Sequence, residues 1–195
     1  MKKIIAIIAL VSTTYGITAQ SQKLTVKEDV FIQGGDTSDT AFGETKPKGL
    51  FVYKSHAGSK YSRITYLKFE TPKKLKSVKK VTLHIPLKVF PNKNTDAPFT
   101  LDVHAVENDR WRESSITWSD ALELGELVAS IEVEQGDKVQ RLAIELDAKI
   151  ISNLFDGKKD RNITLALYNS KFNSVSAMAP SKESNIKNAS YLVIE

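Results

Sequence analysis

The sequence contains no cysteine. Disulfides, thiolate metal sites and a cysteine nucleophile are excluded with it. Only three histidines are present, His56, His84 and His104, and none falls in a His-x-His or His-Glu-x-x-His spacing, so the common zinc patterns are missing. There is no Gly-x-Ser-x-Gly elbow and no glycine-rich phosphate loop. The apolar run Ile4 to Val11 falls well short of the ~20 residues a membrane helix needs, and no other stretch approaches that length. Acidic residues are scarce in one part of the chain. From Gly43 to Thr95 there are 13 Lys or Arg but only two acids, Glu44 and Glu70. From Asp96 to Asp147 the balance inverts, with 13 acids and four bases. A basic face on such a chain points to a polyanionic partner, unless the two halves interleave in three dimensions and mix their charges.

Met1-Lys2-Lys3 followed by the short apolar run reads as a secretory signal peptide over residues 1–19, with Ala19 as the cleavage position. Residues 20–195 then form one domain, and the expected location is secreted, extracellular or periplasmic. Removing Lys2 and Lys3 lowers the net charge from +5 to +3. A domain of this size buries roughly 70% of the surface its unfolded chain exposes, enough for a core that does without disulfides.

Period-2 alternation recurs along the chain. Val81, Leu83, Ile85, Leu87 and Val89 alternate with Thr82, His84, Pro86 and Lys88, and Pro86 marks an edge or a bulge because it cannot donate to a ladder. Further strands are expected near Val26–Gln33, Leu50–Tyr53, Ser62–Phe69, Phe99–Ala105, Leu127–Val133, Val139–Leu146, Ile163–Leu167, Ser174–Met178 and Ser190–Ile194. Ile150, Ile151, Leu154 and Phe155 follow Asp147 at helical spacing, which predicts one short helix capped by Asp147 and ended by Gly157. The pattern is that of an all-β protein, an antiparallel β-sandwich of jelly-roll type with one short helix.

Both tryptophans, Trp111 and Trp118, lie in the stretch Val106–Trp118 between strands. Two such rings can plug the open end of a sandwich core or form a stacking platform for a flat ligand. The stretch reads Asn-Asp-x-Trp-x-Glu-x-x-Ile-Thr-Trp, and this resembles the signature of carbohydrate-binding module family 96, the DNRLRE-type extracellular β-sandwich modules. Asp29-Val30-Phe31-Ile32 with Gly34-Gly35-Asp36 resembles the family's first strand, and Arg63 to Phe69 its Arg-x-x-Tyr-Leu-Lys-Phe strand. Ser181-Lys182-Glu183 with Tyr191-Leu192-Val193-Ile194 resembles its ending. Residue 190 is Ser where the family tends to have Pro, and residue 70 is Glu where Asp is usual. The resemblance implies a non-catalytic binder of acidic polysaccharide, alginate among them.

Uronate recognition asks for Arg or Lys to hold carboxylates and Tyr to cover a pyranose face. Tyr53, Lys54, Lys60, Tyr61, Arg63, Tyr66 and Lys68 put both kinds in one region, with Tyr66 and Lys68 on the same side of a strand; Lys171 and Lys182 extend the surface from later segments. Asp29, Asp36, Asp39 and Glu183 could contribute oxygens to a structural Ca²⁺ site, or Asp36 and Asp39 simply make Asx turns. Two other functions stay open. One is a structural or adhesive extracellular matrix module with protein partners. The other is a polysaccharide lyase built on Tyr53, His56, Tyr61 and Arg63. Export argues against nucleic acid, and the oligomeric state is not encoded in these patterns.

Overall fold

The computed structural model describes residues 21–73, 75, 78–156, 161–184 and 186–195. The leader at 1–19 and the helix stop at Gly157 lie outside the described residues. The described residues form ten strands and one α-helix: β1 Gln22–Gln33, β2 Gly49–Ser55, β3 Gly58–Glu70, β4 Val81–Val89, β5 Phe99–Val106, β6 Leu127–Val133, β7 Gln140–Leu146, α1 Ala148–Phe155, β8 Asn162–Tyr168, β9 Ser176–Pro180 and β10 Tyr191–Ile194. All strand pairings are antiparallel. Among the described residues no helix is long and apolar enough to cross a membrane.

Two sheets share β1 and β4. The first half of β1 pairs with β10, which pairs with β4, which pairs with β7. From Val26 onward β1 crosses to the second sheet and pairs with β3, with a register shift between Val26 and Glu28. That sheet continues through β8 and β5 to β6, while β2 and β9 link the outer part of β3 to the end of β4. Alternation fills the space between the sheets. Leu83 and Ile85 from β4, Leu192 from β10, Leu67 and Phe69 from β3, Leu101 and Val103 from β5 and Leu165 from β8 join one core. This is the antiparallel sandwich the patterning predicts.

Pro86 sits neither at an outer edge nor at a bulge. Along one edge of β4, residues 81–84 pair with β10 and residues 88–89 pair with β9. Pro86 falls in the gap where the partner changes, so its missing N–H leaves no rung broken. Asp147 caps α1 as expected, its carboxylate accepting from the N–H groups of Lys149 at 2.9 Å and Ile150 at 3.1 Å.

The tryptophan stretch does not close an end of the sandwich. It folds over the outer face of the second sheet and buries a second, smaller core there. Val30 and Ile32 from β1, Ile64 and Tyr66 from β3 and Ala166 from β8 meet Val106, Trp111 and Ile116. Trp118, Leu122 and Leu124 pack against this cluster and remain half-buried. At β1, β3 and β8 the second sheet is thus covered on both faces, which is why β3 alternates between two apolar sets instead of between apolar and solvated ones.

Candidate functional site

The β2–β3 hairpin carries most of the aromatic and basic residues singled out in the sequence. Its register shifts between the pair Tyr53–Arg63 and the pair Ser55–Gly58, so extra residues accumulate on β3. Gly58 takes φ +66° at the turn, where a side chain would meet only open space. Ser62 locks the irregularity: its Oγ donates to the Gly58 carbonyl at 2.7 Å and accepts from the Ser55 N–H at 3.0 Å. The extra length pushes Tyr61 outward at φ +63°, the left-handed region that a bulky side chain occupies rarely and at a cost of order 1–3 kcal/mol. The Tyr61 ring is 49% exposed. Lys60 stands beside it, its ammonium 5.3 Å from the Tyr61 ring centre and 3.9 Å from an Asp36 carboxylate oxygen. Its backbone is pinned against Gly34 and Gly35, where a Cβ on Gly35 would lie 3.0 Å from Lys60 Cγ.

Two groups flank this tip. In the first, Arg63 Nε donates to Gln33 Oε1 at 2.6 Å and the guanidinium lies 5.2 Å from the Phe51 ring centre. Phe51 meets Phe31 edge-on, and Phe31 stacks on Phe42. Burial pulls the Arg63 pKa below its ordinary value, and the neighbouring Tyr53 works in the opposite direction. In the second group the Lys54 ammonium sits 4.3 Å over Phe172 and 5.3 Å over Tyr168. His56 stacks on the same Phe172 at 5.9 Å. Lys171, exposed and next in sequence, belongs to the turn that Asn169 holds by accepting the Lys171 N–H at 2.8 Å. Sequence reasoning misses Phe172, although it is a large apolar ring inside the polar run Asn169–Ser174. It is 53% exposed. The hairpin and the 169–175 loop therefore bring Lys54 and His56 to one aromatic ring, with Lys171 exposed beside it in the chain.

Tyr66, Lys68 and Lys182 are corrections. Tyr66 is fully buried; its hydroxyl donates to the Leu122 carbonyl at 3.3 Å and accepts from the Leu122 N–H at 3.1 Å. Burial pushes the phenol up to about 12. Tyr66 and Lys68 do share a face, but that face lies under the tryptophan stretch. Lys68 is 4% exposed, and its ammonium bonds Glu28 Oε1 at 2.9 Å and the Trp111 carbonyl while sitting 4.4 Å from the Trp111 ring centre. Lys182 is held by Glu113 at 2.8 Å and Glu183 at 2.7 Å. Burial alone would lower its pKa, but the bonds to these two carboxylates outweigh burial and hold the pKa above its ordinary value.

These residues form one lattice. Glu28 Oε2 accepts the Glu113 N–H at 2.9 Å, and a Glu113 oxygen accepts the Asp29 N–H at 3.2 Å. Asp29 Oδ2 accepts the Lys182 N–H at 2.7 Å. Trp111 Nε1 donates to Thr164 at 3.2 Å. The residues that carry the sequence signature, Asp29, Lys68, Trp111, Glu113 and Lys182, thus clamp β1, β3, the tryptophan stretch and the segment after β9 together.

The carboxylates offered for calcium are dispersed by the same lattice. Asp29 is buried against the Lys182 backbone, and Glu183 pairs with the Lys182 ammonium. Asp36 reaches Lys60, and Asp39 accepts the Ser119 hydroxyl at 2.5 Å. Among the described residues no group of three or more His, Asp or Glu side chains could hold a metal ion. Beside Glu113 and Glu183 the positive charge is the Lys182 ammonium.

No curated protein sequence matches the chain. Among solved structures, the K3 cleaved adhesin domain of Lys-gingipain from Porphyromonas gingivalis w83 superposes with a TM-score of 0.33 at 9% identity, covering 75% of this chain and 73% of its own. The CBM22-1–GH10 modules of Clostridium thermocellum endo-1,4-β-D-xylanase 10B, complexed with xylohexaose, give a TM-score of 0.34 at 13% identity over 88% of this chain and 28% of theirs. The K1 cleaved adhesin domain of the same gingipain gives 0.33 at 10% identity over 93% of both chains. The profile of carbohydrate-binding module family 96 matches residues 20–195, and the chain belongs to that family.

Proposed function

We propose that this carbohydrate-binding module captures an acidic polysaccharide, a polyuronate such as alginate, on the β2–β3 hairpin face, and does so outside the cytoplasm without cleaving the chain. The observation that carries the reading is the exposed tip itself. Tyr61 is held outward at positive φ beside Lys60, with Lys54 over the exposed Phe172 and Lys171 exposed next to it in the chain. Strain retained under an exposed aromatic ring serves no packing purpose that the structure offers, whereas a ring and several ammonium groups at one tip suit a pyranose face bearing carboxylates. Tyr53 and Arg63 lie one step behind, where Arg63 presents its fork beside Gln33. The signal-peptide pattern at the N-terminus fits export.

Calorimetric titration with alginate oligosaccharides at low and high salt tests this. Lys54→Ala and Tyr61→Ala are each expected to weaken binding about tenfold, the effect of one well-placed charged or aromatic contact at ~1.4 kcal/mol. Lys79→Ala, in an exposed connection, should leave it unchanged. Affinity should drop as salt rises, since exposed charges are screened within ~10 Å at 0.1 M. Equal, salt-insensitive binding to neutral glucan removes the electrostatic part of the proposal. Release of unsaturated uronate absorbance removes the non-catalytic part.

A further inference from the structure

A second cleft opens in the tryptophan stretch, away from the hairpin tip. It encloses about 340 Å³. Trp111, Ile116 and Leu122 give it apolar walls, and Arg110 and Arg112 stand on its rim. Both arginines are exposed. They are two of only four bases between Asp96 and Asp147, a segment with 13 acids. Local ion pairing would be the expected fate of arginines there, yet Asp109 accepts from Asn162 at 3.2 Å and Glu113 is taken by Lys182. Asp120 lines the cleft as well, where it accepts the Thr117 hydroxyl at 3.0 Å and pairs with neither arginine among the described residues. Neither guanidinium makes a hydrogen bond or ion pair with a described residue, although the Arg112 charge reaches Glu28.

The walls are fixed before any ligand arrives. Trp111 is held by Thr164 at its indole N–H, by Lys68 over its ring and by Tyr66 at 5.9 Å. Leu122 is held by both bonds to the Tyr66 hydroxyl. A rigid apolar wall beside two outward planar forks suits a ligand with a flat apolar face and a carboxylate, because guanidinium takes carboxylate through two parallel bonds. The volume lies at the low end of the ~300–1,000 Å³ typical of small-molecule sites, room for a sugar ring and not for a folded partner.

We infer that this cleft is a second subsite, which takes one uronate unit of the same acidic polysaccharide, with Arg110 and Arg112 on its carboxylate and Trp111, Ile116 and Leu122 against the ring. The inference rests on the polyuronate reading of the hairpin. Of the two tryptophans of the chain Trp111 lines the cleft and Trp118 lies seven residues on in the same stretch, so tryptophan emission follows this stretch and not the tyrosines of the hairpin. The experiment titrates alginate oligosaccharides into four full-length proteins: wild type, a hairpin variant (Lys60→Ala with Tyr61→Ala), a cleft variant (Arg110→Ala with Arg112→Ala) and the combination. Heat of binding and tryptophan emission are both followed, and melting checks the fold. The expected result is that the hairpin variant still shifts its emission on titration, that the cleft variant loses the shift and about tenfold in affinity, and that the combination shows no shift and an affinity loss near the product of the two. Wild-type affinity and an undiminished shift in the cleft variant overturn the cleft and leave the hairpin reading standing. Absence of any alginate binding by the wild type overturns both.

Discussion

Replacing Lys68 by Ala separates a structural lysine from a ligand-binding one. Its ammonium bonds Glu28 and the Trp111 carbonyl beneath the Trp111 ring. Removing one partner of a buried ion pair costs about 3–5 kcal/mol. The lower end applies here, because the Glu28 side chain is 18% exposed and keeps the Glu113 N–H on its other oxygen. The orphaned Trp111 carbonyl adds about 1 kcal/mol. The sum, about 4 kcal/mol, is a large part of the ~5–15 kcal/mol by which a domain is stable. At ~2–4 °C per kcal/mol for a chain of this length, melting should fall by roughly 8–16 °C. Urea unfolding should show a lower midpoint with an unchanged slope. In a double-mutant cycle, Lys68→Met with Glu28→Gln should recover much of the loss, with a coupling of about 2 kcal/mol. At a temperature where Lys68→Ala is still folded, its affinity for alginate should fall by less than the roughly tenfold loss of a direct contact, since only the support of the Trp111 wall is lost. A variant that melts within about 0.5 kcal/mol of wild type but binds alginate poorly refutes the assignment and returns Lys68 to the ligand surface.

Asp29 supplies a pH signature. Burial raises its pKa from 3.8 to about 6, so the folded state holds the proton more tightly than the unfolded chain. This group's contribution is therefore fully present below pH ~4 and is lost as pH climbs through about 6. Each tenfold difference in proton affinity is worth ~1.4 kcal/mol, which makes the contribution roughly 3 kcal/mol. Glu28 runs the other way: burial would raise its pKa, but the bonds from Lys68 and the Glu113 N–H outweigh it, so its stabilisation fades as pH falls below the ordinary glutamate range. Asp29→Asn should flatten denaturation midpoints measured between pH 4 and 6, and an unchanged profile would show that the carboxyl is not the source. Trp111→Ala should cost about 3–5 kcal/mol and Trp118→Ala clearly less, since Trp111 is buried and bonded while Trp118 is half-exposed; equal losses in parallel melts would argue against Trp111 as the anchor.

The strands were legible because each face of each strand has one fate. β4 reads as pure alternation and sits where alternation puts it, and Asp147 announces α1 through a cap that needs only local backbone. The fate of β3 was not legible. Ile64, Tyr66 and Lys68 read as a mixed, half-solvated face, and nothing local says that a segment more than 40 residues later returns to cover it. A lysine in a strand looks the same whether it meets water or Glu28. The signature residues were similarly ambiguous: motifs at 29, 111–113 and 181–183 are far apart in sequence, and only the sheet crossing of β1 shows that they converge on one lattice. In this chain they hold β1, β3, the tryptophan stretch and the segment after β9 together. Phe172 carries no signal in the sequence because a single ring in a polar loop has no period to betray it. The Tyr61 conformation is invisible in sequence, since the left-handed region is usually marked by Gly or Asn and this position has neither.

Tyr61 is where stability and binding should part company. The lattice that fixes β1, β3 and the tryptophan stretch ends before the hairpin tip, and beyond Ser62 the backbone is governed by a register shift instead of by packing. Glycine in the middle of a strand ordinarily costs ~0.5–1 kcal/mol relative to Ala. At φ +63° the sign changes, because removing the Cβ relieves ~1–2 kcal/mol of left-handed strain. An exposed ring gives little back, so Tyr61→Gly should leave the protein as stable as wild type or about 1 kcal/mol more stable, while Tyr61→Ala keeps the strain and gains nothing. Both should lose alginate affinity to the same extent if the ring is what the ligand touches. Urea melts paired with calorimetric titration of the two variants decide the matter. A Tyr61→Gly protein destabilised by more than about 1 kcal/mol means the ring packs at home and the strain is incidental. A stabilised variant that binds as before means the tip is shaped for something other than the sugar.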